Sequence, residues 1–321
     1  MARATGIGSM PGDDFGSSLN LVLSEVPDLP FLPELPVRGP HAGMIGRTLA
    51  LITDLGADLQ PDGWRIGVGA GADQRRARSL LGQDLDTTEE MLEGYAGPLK
   101  VQVTGPLTLA AAVERPRGDK MLADHGARRD LAEVLAAGLA THLADLNRRF
   151  PGVDLHVQVD EPAMRSVIEG TIPTASGWAT HRRVDPPEAD VLLRHLVEVI
   201  AAAGAVPVLH SCGPDVPVDL LRGLGFAAIS FDLSLTRPDD VWAEALDSGV
   251  ALWPGVIPAA DGPLDRDAIL GRVEEFFNRL GFDGEATTEL LVVTPTCGLA
   301  GASPRHAQAA LATSQSVAAR R

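Results

Sequence analysis

Val206-Pro207-Val208-Leu209-His210-Ser211-Cys212-Gly213 is a short apolar strand that runs straight into a histidine and a cysteine two positions apart. A helical stripe, Val191–Ala203, leads into it. The plan returns 85 residues later, where Leu290-Leu291-Val292-Val293 leads to Pro295-Thr296-Cys297-Gly298. These two places hold the only two cysteines of the chain. Strand, polar terminus, helix is the unit of an α/β protein with a parallel sheet, in which chemistry gathers where strands end.

Working outward, further β-type runs occupy Thr5–Gly8, Leu99–Val103, Leu155–Val159, Ala227–Phe231 and Val250–Trp253, with Arg65–Val68 as a weaker eighth. Between them lie segments of helical period. Leu131–Asn147 carries Leu131, Val134, Leu135, Leu139, Leu143 and Leu146 on one face. Pro238–Leu246, Asp265–Leu280 and Ser303–Ala318 read likewise, the last opening on a Ser-Pro helix start. Seven or eight strands, each followed by a helix, give a single (β/α)8 TIM-type barrel; a doubly wound sheet is the rival. Pro27, Pro30, Pro33, Pro36 and Pro40 mark Val26–Pro40 as an extended loop over the barrel mouth. Residues 1–321 are read as one catalytic domain.

The 321 residues carry 27 Lys and Arg against 43 Asp and Glu, a net charge of −16, with no dense basic block. Such a surface repels a phosphate backbone, so nucleic acid is not an expected partner. No apolar run reaches the roughly 20 residues that span a bilayer, and Met1–Gly6 lacks the core of a signal peptide. Two cysteines make no disulfide framework. No membrane partner and a cytoplasmic location are the expectations.

Polar residues with chemical capability follow the strands: Ser9, Thr104, Asp160 with Glu161, His210 with Cys212, Asp232, and Cys297. In a barrel all of them converge on one mouth. Residues i and i+2 of an extended chain point the same way, so His210 and Cys212 can share one ion. Cys297 adds a second thiolate and Asp232 a carboxylate oxygen, a set that suits four-coordinate Zn²⁺. Asp232 reads equally well as a cap for Leu233–Thr236. Asp160 and Glu161 also read as a structural pair answering Arg165. Gly67-Val68-Gly69-Ala70-Gly71 lacks the Lys-Ser/Thr of a phosphate loop and reads as a turn. The histidines at 41, 125, 142, 156, 181, 195 and 306 have no ligand spacing and read as surface or packing residues.

Four segments together resemble the C-terminal catalytic barrel of cobalamin-independent methionine synthase, in the superfamily that also holds uroporphyrinogen decarboxylase. They are Gly6-Ile7-Gly8-Ser9-Met10-Pro11, Val157 to Arg165 with its Asp160-Glu161-Pro162, Leu209-His210-Ser211-Cys212, and Pro295-Thr296-Cys297-Gly298-Leu299. The resemblance implies a zinc held by His210, Cys212, Asp232 and Cys297. It implies homocysteine bound through its carboxylate at Ser9 and the Ile7 backbone, and through its amino group at Asp160, with Glu161 nearby. The nucleophile would be the substrate thiolate on zinc rather than a side chain. A thiol of pKa about 8.5 is deprotonated on coordination, and attack on a methyl group then gives methionine.

Three departures from the family bear on the donor and the metal. Asp232 stands where the family has Glu. Gly255-Val256 leads to Ile257-Pro258, without the histidine that follows that pair in full-length members. The chain begins at the catalytic barrel, so the folate-assisting N-terminal barrel is not expected, and a methyl-corrinoid on a partner protein joins methyl-folate as a donor. The alternatives are a corrinoid:thiol methyltransferase acting on a thiol such as coenzyme M, and a non-catalytic zinc or thiol-metabolite binding protein.

Overall fold

The structure is a computed structural model that describes residues 2–67, 69, 71–282 and 288–320. Nine strands are defined among them: β1 Arg3–Ala4, β2 Gly56–Gln60, β3 Gly63–Gly67, β4 Pro98–Thr104, β5 Asp154–Asp160, β6 Val206–Ser211, β7 Ala228–Asp232, β8 Ala251–Ile257 and β9 Val292–Pro295. Seven of these make one curled sheet in the order β1-β9-β8-β7-β6-β5-β4, and every pairing is parallel. Helices return the chain between the later strands, including His125–Arg149, Pro186–Ala202, Arg266–Arg279 and Pro304–Ala318. The doubly wound rival would place β1 inside the sheet; here it sits at one edge, next to the last strand.

Part of the proline-rich stretch read as an extended loop over the mouth is bonded to the sheet, while Glu34 and Pro36 line a cavity at the strand ends. Lys100 N donates to Pro30 O and Leu32 N to Lys100 O, both at 2.8 Å, while Glu34 N donates to Gly8 O at 3.0 Å and Met10 N to Glu34 O at 2.8 Å. Isolated parallel bridges Phe31–Lys100 and Ser9–Glu34 therefore lie between the two edges of the sheet. Prolines are tolerated because this segment donates from Leu32 and Glu34, and Pro30 contributes only its carbonyl. Leu29, Phe31, Leu32 and Leu35 are buried. Gly6 makes this possible, since a Cβ there would stand 2.4 Å from the Phe31 ring.

Arg65–Val68 is not an eighth sheet strand. Its described part belongs to β3, which pairs antiparallel with β2 across Pro61-Asp62 as a separate hairpin; Val68 lies outside the described residues, as does Ala70 of the glycine-rich turn. The strand expected at Leu290–Val293 starts two residues later, because Thr288–Leu290 forms a 3-10 turn. The expected Thr5–Gly8 strand is displaced: the strand is Arg3–Ala4, just before it, and only Thr5 N continues the pairing by donating to Val293 O at 3.2 Å. The helix starts are capped as expected: the Ser303 hydroxyl accepts from His306 N at 3.2 Å.

Alternation sorts the sheet's side chains into two sets. One set packs under the helices. The other fills the interior, where Leu29, Val208, Ala228, Trp253 and Val292 form an apolar floor. Along β4, β5, β6 and β7 the interior residues above that floor turn polar: Lys100, Gln158, His210 and Ser230 are all buried. Among the described residues, no helix is long and apolar enough to cross a membrane.

Candidate active site

The C-terminal ends of β5, β6 and β9 converge. His210 is the penultimate residue of β6, Cys212 follows it by the two-residue step, and Cys297 follows β9. Among the described residues, their ligand atoms form the one group of three that lies within 4.8 Å of one another. The two sulfurs are hydrogen-bonded at 3.0 Å. That contact, and after it the nearby His210, pulls the Cys297 thiol down, while the same contact pushes Cys212 up. His210 is 3% exposed, and burial pushes its imidazole down, toward the neutral form that binds metals.

The two ring nitrogens of His210 differ. Nδ1 meets the Ser230 hydroxyl at 3.0 Å, whereas Nε2 is buried with no hydrogen-bond partner among the described residues. A buried nitrogen left without a partner costs about 1–3 kcal/mol. A metal-ligating histidine commonly fixes its orientation by donating its other N–H, which is the role Ser230 can play. His210, Cys212 and Cys297 therefore fit a soft divalent ion in donor type, proximity and free lone pair.

Asp232 stands outside that group. Its Oδ1 accepts from Ser234 N at 2.8 Å and from Ser234 Oγ at 2.7 Å, so the carboxylate caps the turn Leu233–Leu235. The cap and the ligand roles compete for the same side chain.

A cavity of about 440 Å³ opens beside the thiols. His210, Cys212 and Cys297 line it together with Ile7, Ser9, Glu34 and Asp160, and Asp160 stands beside His210 in the register of β5 and β6. Ser9 is brought there by its bridge to Glu34 and by Leu299 N, which donates to Ser9 O at 2.8 Å. Gly298 leaves room for this Ser9 rotamer, because a Cβ there would meet Ser9 Oγ at 2.0 Å. Asp160 is 8% exposed and accepts from Gln158 Nε2 at 2.7 Å. Burial, and then the neighbouring Glu34 carboxylate, pushes Asp160 well above the usual carboxylate range.

Glu161 faces elsewhere. It is fully buried and absent from the cavity wall, and it accepts from Leu107 N at 2.9 Å, Thr108 N at 2.8 Å and Thr108 Oγ1 at 2.6 Å. These are the unpaired donors at the start of helix Pro106–Ala112. Gly105 leaves room for the carboxylate, since a Cβ there would lie 2.3 Å from Oε1. Burial raises Glu161 to about 7. Arg165 answers neither acid of the pair; it bonds Glu169 at 2.6 Å. Glu161→Gln places an amide NH₂ against backbone donors, and a loss of about 1–3 kcal/mol is expected. Urea unfolding measures it, and an unchanged midpoint would remove the capping assignment.

Glu34 and Lys100 were not anticipated. Glu34 sits between prolines in a stretch read as loop. It is 6% exposed and lies 3.5 Å from Arg47 Nε. Lys100 had a visible signal: Lys100, Gln102 and Thr104 alternate with Leu99, Val101 and Val103, which makes the inward face of β4 polar.

The family model described as cobalamin-independent synthase, catalytic domain, matches residues 86–320. The chain belongs to this family. Among solved structures, a B12-independent methionine synthase from Shewanella sp. W3-18-1, in complex with selenomethionine, is similar at 13% identity with a TM-score of 0.61, over 100% of this chain and 97% of that one. A beta-galactosidase from Marinomonas ef1 is similar at 11% identity with a TM-score of 0.50, over 98% of this chain and 59% of that one. At such identities the likeness is one of fold. No curated protein matches.

Proposed function

We propose that this member of the cobalamin-independent synthase family is a zinc-dependent methyltransferase that methylates the thiol of homocysteine to give methionine. The observation that carries the reading is the Nε2 of His210, buried and without a hydrogen-bond partner among the described residues, beside two thiols that line one cavity with Ser9, Glu34 and Asp160. In this reading the sheet completes a (β/α)8 barrel, with Pro30–Glu34 standing where an eighth strand would run.

His210, Cys212 and Cys297 would hold the zinc, with Asp232 or the substrate sulfur as the fourth ligand. Zinc bound there would lower the pKa of a coordinating thiol, so that homocysteine carries a thiolate at neutral pH. The chain's own residues bind and orient. Ser9 and the Ile7 backbone take the carboxylate, and Asp160 and Glu34 take the amino group. Sulfur attacks the methyl carbon, a C–S bond forms, and the bond from methyl to donor breaks with its electron pair leaving on the donor. Two carboxyl groups in the cavity suit an ammonium and oppose a sulfonate, which favours an amino-acid thiol over one such as coenzyme M. The selenomethionine bound by the Shewanella protein is a methylated chalcogen amino acid of the kind this reaction would release.

The test is an assay of zinc-loaded protein with homocysteine and each of three donors: methyl-folate, its polyglutamate, and methylcobalamin. Zinc-dependent methionine from at least one donor is expected, and the productive arm identifies the donor class. No methionine from any donor overturns the reading.

Asp232→Ala is expected to keep most of its zinc while changing homocysteine affinity. Three ligands remain in the variant, and the native carboxylate already makes two hydrogen bonds of about 1 kcal/mol each to Ser234. Metal analysis beside a calorimetric titration checks this. Complete loss of zinc would make Asp232 a permanent ligand.

A further inference from the structure

Beneath the cavity lies a lysine amine that the proposed chemistry does not use; burial pulls it down to about 7, against the pull of Asp160 and Glu34 toward the ammonium form. Lys100 is fully buried. Its Nζ donates to Ile7 O at 2.9 Å and to Gln158 Oε1 at 2.7 Å. With its amide turned to satisfy both neighbours, Gln102 accepts from Nζ and donates to Leu32 O, each at 3.0 Å. The Phe31 ring lies 5.4 Å from Nζ. Gln158 is also fully buried, and its Nε2 donates to Ile7 O at 2.8 Å and to Asp160 Oδ1 at 2.7 Å.

Stability alone gives little reason for such a residue. Taking an ammonium out of water costs several kcal/mol, and an apolar replacement of similar volume is often neutral or stabilising. This amine also sits in a balanced cluster. Asp160 reaches Lys100 through Gln158, Glu34 faces Arg47 at 3.5 Å, and Asp84 takes both Arg47 at 2.8 Å and Arg38 at 2.6 Å. Three acids meet three bases. Gln158 touches both ends of the proposed amino-acid site, the Ile7 carbonyl, two residues before Ser9, and Asp160; Lys100 touches the Ile7 carbonyl and reaches Asp160 only through Gln158.

We propose that Lys100, acting through Gln158, is a positioning residue that makes this site select an α-amino-acid thiol over a plain thiol. It ties the carboxylate-binding turn Ile7-Gly8-Ser9 to the amino-binding Asp160, so both ends of the substrate are read at one fixed spacing. A site built around a substrate's polar group discriminates strongly against the analogue that lacks it. That discrimination depends on the group's partner being held in place and charged. The inference rests on the proposed homocysteine site, and its test separates the two.

The experiment measures binding of homocysteine and of 4-mercaptobutyrate, which lacks the amino group, to zinc-loaded full-length protein by calorimetry without a donor. The parent is expected to prefer homocysteine. Lys100→Met should shrink that preference by at least about tenfold, leaving zinc content intact and 4-mercaptobutyrate affinity within about threefold of the parent. Gln158→Leu cuts the link but keeps the amine, and should act in the same direction; it also serves if Lys100→Met does not fold. Equal losses for both thiols would reduce Lys100 to a structural residue. An unchanged preference in the variants overturns the proposal while leaving the homocysteine site standing. A parent that binds neither thiol, or shows no preference, overturns the site and this inference with it.

Discussion

Cys212→Ser and Cys297→Ser are each expected to strip the protein of zinc and to abolish methyl transfer. The three ligand atoms lie within 4.8 Å of one another, and no further His, Cys, Asp or Glu among the described residues joins the group to replace a lost thiolate. Binding of zinc by a complete four-ligand site in peptides is worth about 10–16 kcal/mol, so one thiolate carries roughly 3–4 kcal/mol, or about two to three orders of magnitude in affinity. After dialysis each variant should hold well under a tenth of the parent's zinc. Folding should survive, because both cysteines are only half-buried and belong to the rim of the cavity rather than to the apolar floor. Metal analysis paired with a thermal melt makes the check. A double variant that keeps one zinc per chain would place the metal elsewhere and remove the basis of the proposed reaction.

The strands bearing His210, Cys212 and Cys297 were legible because two signals coincided there. Val206–Leu209 is apolar on both faces, as a strand covered on both sides must be, and it ends on polar residues. The same holds, with a two-residue shift, for β9, whereas β5 is apolar on one face only, Leu155, Val157 and Val159 alternating with His156, Gln158 and Asp160. The first part of the chain was harder to read. Pro30 and Pro33 are strong loop signals, yet the segment that holds them bridges the sheet edges, because its hydrogen bonds use the N–H groups of Leu32 and Glu34. Propensity records that proline lacks a donor; it does not record whether the position needs one. Arg65 misled in the opposite sense. Its β-type run is real, but the Pro61-Asp62-Gly63 turn pairs it locally with β2.

The site was legible to the same degree and for related reasons. The i, i+2 rule placed His210 and Cys212 together from spacing alone. Asp160 and Glu161 show its converse: adjacent residues of an extended chain point opposite ways. Asp160 faces the cavity, and Glu161 turns outward to cap helix Pro106–Ala112. A two-carboxylate reading of that dipeptide was therefore bound to divide. The second carboxylate of the cavity is Glu34, more than a hundred residues away, and only tertiary structure brings it to Asp160.

Asp160→Asn should raise the KM for homocysteine far more than it lowers kcat. The amide oxygen can still accept from Gln158 Nε2, now 2.7 Å from Asp160 Oδ1, so the local packing persists. What changes is the group offered to the substrate: a carboxyl that an incoming ammonium would hold ionised becomes a neutral amide whose NH₂ can face the ammonium donor to donor. Breaking one side of a buried charge pair costs about 2–5 kcal/mol, which corresponds to roughly 30- to 4,000-fold in kcat/KM. Glu34 lines the same cavity and retains part of the attraction, so the lower half of that range is expected. Zinc content should not move, because Asp160 lies outside the metal group. Steady-state kinetics with homocysteine, beside 4-mercaptobutyrate as the thiol without an amino group, reads the effect directly. A loss confined to homocysteine places the amino group at Asp160; equal kinetics for parent and variant would show that Asp160 does not meet the substrate.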